Sequence, residues 1–353
     1  MVRRMAAAGL VHRFARARVV LLGDLVADVY QYGETERVSR EAPVLVVRHE
    51  STETKLGGAA NAAANIAALG GRVSPVGVVG KDAAGRELLR QFQDLRAETG
   101  GILVSAGRCT ETKTRVLAGA RSTTRQQMLR IDRAEEKPLT EAERSRIRQR
   151  LTRACRNAQA LVVSDYGSGL IDGALTDEVR KIARRLPVCV DSRYGIRSFH
   201  GVTLAKPNEA ELEAAIGGRV RTSADLERAG RVLLEQLQVR ALVVTRGHNG
   251  MSLFETGKPT VSIPVWGPAE AVDVTGAGDT VLATLTLALA VGAGFEEAAR
   301  LANVAGGIVV QKPGTATCSS AELLAALEPR ASQPRIDARA RPAALRRVRK
   351  GRA

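Results

Sequence analysis

Short, unbroken apolar runs closed by a glycine, an acid or an amide recur along the chain about a helix apart. "RVVLLGD" (residues 18–24) is the first; "VSPVGVVG" (73–80), "ALVVSDYG" (160–167), "PVCVDS" (187–192), "VTLAKPN" (202–208) and "ALVVTRG" (241–247) repeat the theme. A run apolar at every position fits a strand covered on both faces. Between the runs lie helix-like stretches: "GAANAAANIAAL", "DAAGRELLRQFQDL", "TEAERSRIRQRLTRAC", "IDGALTDEVRKIARRL" and "SADLERAGRVLLEQL". Strands alternating with helices predict an α/β fold with a doubly wound, mostly parallel sheet and helices on both faces. Ligands in such sheets bind beyond the carboxyl ends of the strands. Asp24, Asp165, Asp191, Asn208 and Thr245 fall there.

Two segments lack intervening helices and carry strand-like alternation, residues 30–50 and 110–136. They read as a small β lid, with strands at about 30–50 and 111–132, inside one domain spanning 18–329. The net charge of +16 is concentrated at the ends: nine Lys/Arg against Asp337 in 330–353, and five Arg with no acid in residues 1–18. We expect a basic N-terminal extension (1–17) leading into the first strand and a solvated basic tail (330–353). Such ends could bind nucleic acid or an anionic membrane surface. With 3% aromatics the body lacks stacking platforms for single strands, so no nucleic-acid partner is expected. Four dispersed cysteines without a CxxC argue against a zinc site and fit a reducing, cytoplasmic setting. The Arg-broken N-terminus lacks a signal-peptide core, and the apolar run 281–293 is too short to span a bilayer, so no membrane role is expected.

The chemistry concentrates at "DVTGAGDT" (273–280), where small residues and a carboxylate precede a helix-like run. Glycines at a strand-to-helix turn let the backbone approach a ligand, and a helix N-terminus offers free amides and a positive dipole end. Gly276, Ala277 and Gly278 therefore suit a phosphate. Asp279 would repel that phosphate unless it faces the acceptor, taking a proton from an attacking hydroxyl. An acid in the first turn also complements the helix dipole with no catalytic role.

"DVTGAGD" resembles the second signature of the ribokinase-like sugar kinases, the PfkB family, and "KLGGAANAAANIAALGGRVSPVGVVGKDAAG" (55–85) resembles the first. An intermediate "KPNEAE" and a late "QKPGTAT" agree, and the resemblance runs from about Val19 to Glu328. It implies a ribokinase-like fold in which Asp279 is the catalytic base and Gly276, Ala277 and Gly278 form the anion hole. Asp28, Gly57, Gly58 and Asn61 correspond to the sugar pocket. Asn208 and Glu211 correspond to the pair that organises Mg²⁺ through water beside ATP, and Asn208 would equally cap the helix it precedes. Thr245, Gly247 and Gly250 match the nucleotide-side turn, with Asn303 and Gly314 in the adenine and ribose wall. Asp273 and Thr275 are candidates for a monovalent cation such as K⁺. Lid strands in this family commonly pair across a homodimer.

Within the family, the segments 23–44, 112–132 and 161–170, and "MSLF" after "TRGHNG", resemble heptose 7-phosphate kinases that act on the anomeric hydroxyl in lipopolysaccharide-core biosynthesis. A phosphorylated acceptor needs cations at its far end, and Lys113, Arg115, Arg121, Arg125 and Arg130 crowd one lid segment. Lys113 and Arg115 are the first choices, being inside "TKTRV". "DSR" (191–193) stands where the family often has "DPK". Many of these kinases are fused to a nucleotidyltransferase with an HxGH motif; this chain has four His and no HxGH, so that activity is not expected. Kinases for fructose, ribose or adenosine remain the alternative.

Overall fold

The computed structural model describes residues 2–120, 125–134, 137–268 and 270–328. β1 (Arg18–Gly23) lies inside a nine-stranded sheet, parallel to β4 (Arg72–Gly80) on one side and β8 (Ala160–Asp165) on the other. β5 (Ile102–Ser105) follows β4. Beyond β8 come β9 (Val188–Ser192), β10 (Leu204–Ala205) and β11 (Ala241–Thr245), all parallel, then β12 (Met251–Glu255) and β13 (Val261–Ile263), antiparallel. The chain thus leaves β1 in one direction and later returns to its other side. Such a reversal opens a crevice at the carboxyl end of β1, beside Asp24.

Alternate residues of β1 feed two cores. Val19 and Leu21 pack under α2 (Ala59–Ala68), α3 (Ala83–Asp94), α8 (Ala277–Ala290) and α9 (Phe295–Val309). Val20 and Leu22 pack under α4 (Glu141–Ala154), α5 (Gly173–Ala183), α6 (Glu209–Ile216) and α7 (Ser223–Leu237). The alanines of α2 explain its depth: Ala59, Ala60, Ala62 and Ala63 are fully buried, and their small side chains let α2 lie close against α8. α8 is buried at every position from Asp279 to Leu289, and the hydroxyls of Thr284 and Thr286 are satisfied by the carbonyls of Thr280 and Leu282 one turn back. Among the described residues, no helix is long and apolar enough to cross a membrane.

The expected N-terminal extension contains structure. α1 (Val2–Arg13) packs on α10 (Ser320–Leu327), and Leu10, Val11 and Phe14 join the core around α8 and α9. The basic tail 330–353 and Arg121 lie outside the described residues.

A second, four-stranded sheet stands off the body, in the order β3 (Leu45–Gly58), β2 (Leu25–Val38), β6 (Glu111–Gly119), β7 (Gln126–Arg133). β2 pairs antiparallel with β3 and parallel with β6, and β6 pairs antiparallel with β7. β2 and β3 reach further toward the body than residues 30–50, because their roots (Leu25–Ala27 and Leu56–Gly58) are buried there and lack the lid's alternation. The register sets Asp28 beside Lys113, Tyr30 beside Arg115, and Arg115 beside Arg130. These residues share one face of the lid sheet by the two-residue period of a strand.

Candidate active site

The N-terminus of α8 carries the site. Gly276 precedes its first residue with φ +79°, and a Cβ there would lie 2.5 Å from Asn61 Nδ2, so only glycine fits. Ala277 N–H donates to Val274 O at 3.2 Å. The Gly278 and Asp279 amides are among those a helix leaves without intrahelical acceptors. Asp279, one turn in, is 4% exposed. Asn61 Nδ2 donates to Asp279 Oδ2 at 2.9 Å, and Tyr166 O–H donates to Oδ1 at 2.8 Å. Burial pushes the Asp279 carboxyl up to about 7; the Asn61 and Tyr166 donors work against that rise, and Asp191 adds to it. The group therefore sits where a proton can be taken up or released near neutrality.

Each partner is fixed by its own element. Asn61 is held on α2 while Asn65, one turn on, accepts from Thr280 O–H at 2.9 Å, locking α2 to α8. Tyr166 follows β8, where Asp24 Oδ2 accepts from the Tyr166 N–H at 2.7 Å and the Ser168 N–H at 3.3 Å. Burial, then the nearby Asp165, raises the Asp24 carboxyl to about 7. Burial and Asp279 raise the Tyr166 phenol, which stays protonated as a donor. Lys206, just past β10, pairs with Asp191 at 2.8 Å. A Cβ on Gly278 would lie 3.7 Å from its Nζ. Burial disfavours the ammonium, but Asp191 outweighs it and the pKa is raised. A charged lysine thus stands behind the glycine turn. Tyr166 and Lys206 are the residues that sequence reasoning missed; their local sequences signal a turn and a strand end.

Asp28, on β2, is 3% exposed and paired with Arg115 at 2.6 Å. Thr315 O–H donates toward its Oδ2 at 3.4 Å, and Thr315 N–H donates to Tyr30 Oη at 3.1 Å. Gly57 is required here: a Cβ would come within 2.5 Å of Asp28 Oδ2. Gly58, with φ +54°, turns the chain into α2. Asp28, Gly57, Gly58, Asn61 and Asp279 therefore gather between lid and body. Of the first-choice lid cations, Arg115 is committed to Asp28, whereas Lys113 lies over the Tyr166 ring, 4.9 Å from its centroid.

On the other side of α8, Asn208 and Glu211 form a reciprocal capping box at the start of α6: Asn208 Oδ1 accepts from Glu211 N–H at 2.8 Å and Glu211 Oε2 from Asn208 N–H at 2.9 Å. Burial, then Asp191, raises the Glu211 carboxyl. Thr245 bridges to Asn208 at the end of β11, and Gly247 and Gly250, both at positive φ, form the turn into β12. Asn303 on α9 donates to Pro264 O at 2.8 Å. Gly314 lies apart from it, against the Tyr30 hydroxyl. Asp273 accepts from the Thr275 and Gly314 amides at 2.9 Å each, which overcome burial and keep it ionised. Among the described residues, no cluster of three or more His, Cys, Asp or Glu side chains is placed to hold a metal. A Mg²⁺ that keeps its waters requires no such cage.

The sequence profile described as pfkB family carbohydrate kinase matches residues 16–322. The chain is 43% identical to the bifunctional protein HldE of Geobacter sulfurreducens over 320 residues, covering 89% of this chain and 64% of the relative. It is 39% identical to the protein of that name from Aeromonas salmonicida over 315 residues, again covering 89% and 64%. The chain thus spans under two thirds of the length of these relatives. Arabidopsis thaliana ribokinase, solved with ribose and ATP, superposes with a TM-score of 0.69 at 21% identity, covering 88% of this chain and 99% of that one. Phosphofructokinase-2 of Escherichia coli, solved with substrates and products, gives 0.72 at 21% identity, covering 88% and 98%. The profile covers most of the described residues, and relatives 39% and 43% identical align with 89% of the chain: the chain belongs to the pfkB family of carbohydrate kinases.

Proposed function

We propose that this chain transfers the γ-phosphoryl group of ATP to the anomeric hydroxyl of D-glycero-D-manno-heptose 7-phosphate, in the cytoplasmic route to ADP-heptose and the lipopolysaccharide core. The observation that carries the reading is Asp279: a buried carboxylate near neutrality, in the same first turn of α8 as the free amides. The choice of sugar rests on the lid and substrate segments that resemble heptose 7-phosphate kinases.

In this reading the acceptor hydroxyl lies between Asp28 and Asp279. Its proton passes to Asp279, its oxygen bonds to the γ-phosphorus, and the bond from that phosphorus to the bridging oxygen of ADP breaks. The Gly276–Gly278 turn, backed by Lys206, receives the negative charge of the transferred group. Mg²⁺, held through water by Asn208 and Glu211, would supply charge neutralisation on the ATP phosphates. Asp273 and Thr275 offer oxygens for K⁺; the same Escherichia coli enzyme has been solved in complex with potassium. The lid strands pair across a homodimer, covering the exposed β7.

Phosphorus NMR of the enzyme with ATP, Mg²⁺ and heptose 7-phosphate tests the reading by reporting both transfer and the position phosphorylated. The expected product is the 1,7-bisphosphate. Asp279→Asn should lose about 100-fold or more in turnover while ATP binding persists. Preference for fructose or ribose over heptose 7-phosphate defeats the choice of sugar, and an Asn variant of near-normal rate removes Asp279 from the mechanism.

A further inference from the structure

Two pockets flank the Asp28–Asp279 centre under the lid, and their charge differs. The pocket beside Tyr30, Arg115 and Gly314, of about 700 Å³, has three cations facing three carboxylates. Those cations are committed: Arg115 to Asp28 at 2.6 Å, Arg125 to Glu50 at 2.5 Å, and Lys55 to Glu53 at 3.6 Å. The pocket on the opposite side, of about 690 Å³, lies between the lid, the Tyr166–Gly169 turn and the Arg193–Tyr194 segment. Lys113, Arg130, Arg144 and Arg193 line it together with Glu111, Asp132 and Asp172. Arg144 is taken by Asp172 and Arg130 by Asp132. Among the described residues, neither Lys113 nor Arg193 has a carboxylate within ion-pair distance.

Tyr166 connects this pocket to the chemistry. Its hydroxyl is bonded to Asp279, while its ring carries Lys113 at 4.9 Å and lines the pocket. An acceptor whose reacting hydroxyl meets Asp279 and whose body runs along Tyr166 would place its far end between Lys113 and Arg193. A phosphomonoester carries about −1.5 to −2 charge at pH 7, which two cations, Lys113 and Arg193, would balance. Arg193 adds a forked guanidinium suited to phosphate oxygens.

We propose that Lys113 and Arg193 form the subsite for the remote phosphate of the acceptor, and that they, rather than Arg115, select phosphorylated over unphosphorylated sugar. The proposal rests on the sugar-phosphate reading above and adds Arg193, just past the carboxyl end of β9 and in the same pocket as the lid residues Lys113 and Arg130, to the specificity determinants.

The test compares wild type, Arg193→Ala and Arg193→Lys on heptose 7-phosphate and on the unphosphorylated heptose, with KM for ATP as a check on the rest of the site. Arg193→Ala should lower the selectivity for the phosphorylated acceptor about 10- to 100-fold, mostly through KM, with Arg193→Lys recovering part of it. Methyl phosphate, followed by phosphorus NMR line broadening, should bind wild type and lose binding in Arg193→Ala. Equal losses on both acceptors, or a selective loss that appears in Arg125→Ala instead, overturn the assignment. If wild type prefers the unphosphorylated sugar, the functional reading fails by itself, and methyl phosphate binding still decides the anion subsite. Binding that survives Arg193→Ala rejects it.

Discussion

Asp279 has two hydrogen-bond donors and still sits near neutrality, so desolvation dominates its energetics. A carboxyl whose folded pKa is about 7 against an ordinary 3.8 stabilises the fold fully only below 3.8, and that contribution is lost as pH rises through 7. At pH 8 the buried charge costs on the order of 2–4 kcal/mol relative to a neutral isostere. Asp279→Asn should therefore be more stable than wild type in denaturant melts at pH 8, with the gain shrinking to nothing near pH 4. The same titration predicts that wild-type kcat/KM for the acceptor climbs through about pH 7, because the base must be ionised. A gain over wild type no larger at pH 8 than at pH 4 places the ionisation elsewhere. Tyr166, which shares that carboxylate, lies 113 positions from it in sequence. "SDYGSG" announces only a glycine turn, which is why this contact is invisible until β8 and α8 are brought together.

At the scale of elements, the site depends on how closely β3 can pass β2. Gly57 lies against Asp28, and any side chain at 57 must push that carboxylate off Arg115. Gly57→Ala is expected to raise the acceptor KM about 10-fold or more, because a buried pair that loses its geometry leaves a charge uncompensated. The ATP KM should change little, since Asn208 and Thr245 stand on other elements. A rise in both constants, or in neither, would show that the β2–β3 approach does not shape the sugar pocket. "KLGG" marks a turn before an alanine helix, and the turn was legible. The need for glycine to clear a carboxylate was not, since Asp28 reaches Gly57 only through antiparallel pairing. "KPNEAE" is the converse case: the capping box of Asn208 and Glu211 is local and could be read directly.

Over the whole molecule, the alternation of buried runs and helices was readable because a parallel strand covered on both faces leaves no polar position to confuse it. α1 escaped the reading because its buried Leu10 and Val11, and Phe14 just after it, are interrupted by His12 and Arg13 and make sense only against α10 and the core. The lid carries the last unsatisfied demand of the fold. β7 is an edge strand exposed at every residue, and its outward side presents Leu129 and Ile131, 55% and 52% exposed, beside Val116 and Thr114 of β6. Apolar side chains on an open strand edge call for a partner sheet, and the opposite side of the same strand bears Arg130 and Asp132, which line the pocket with Lys113 and Arg193. A second lid laid on the outward side would cover the apolar stripe without touching that pocket. Light scattering of the wild-type chain should accordingly give twice the monomer mass. Leu129→Glu with Ile131→Glu should give the monomer mass while circular dichroism shows an intact fold. A wild type that is monomeric, or a double variant that remains dimeric, would place the contact between copies away from this face of the lid.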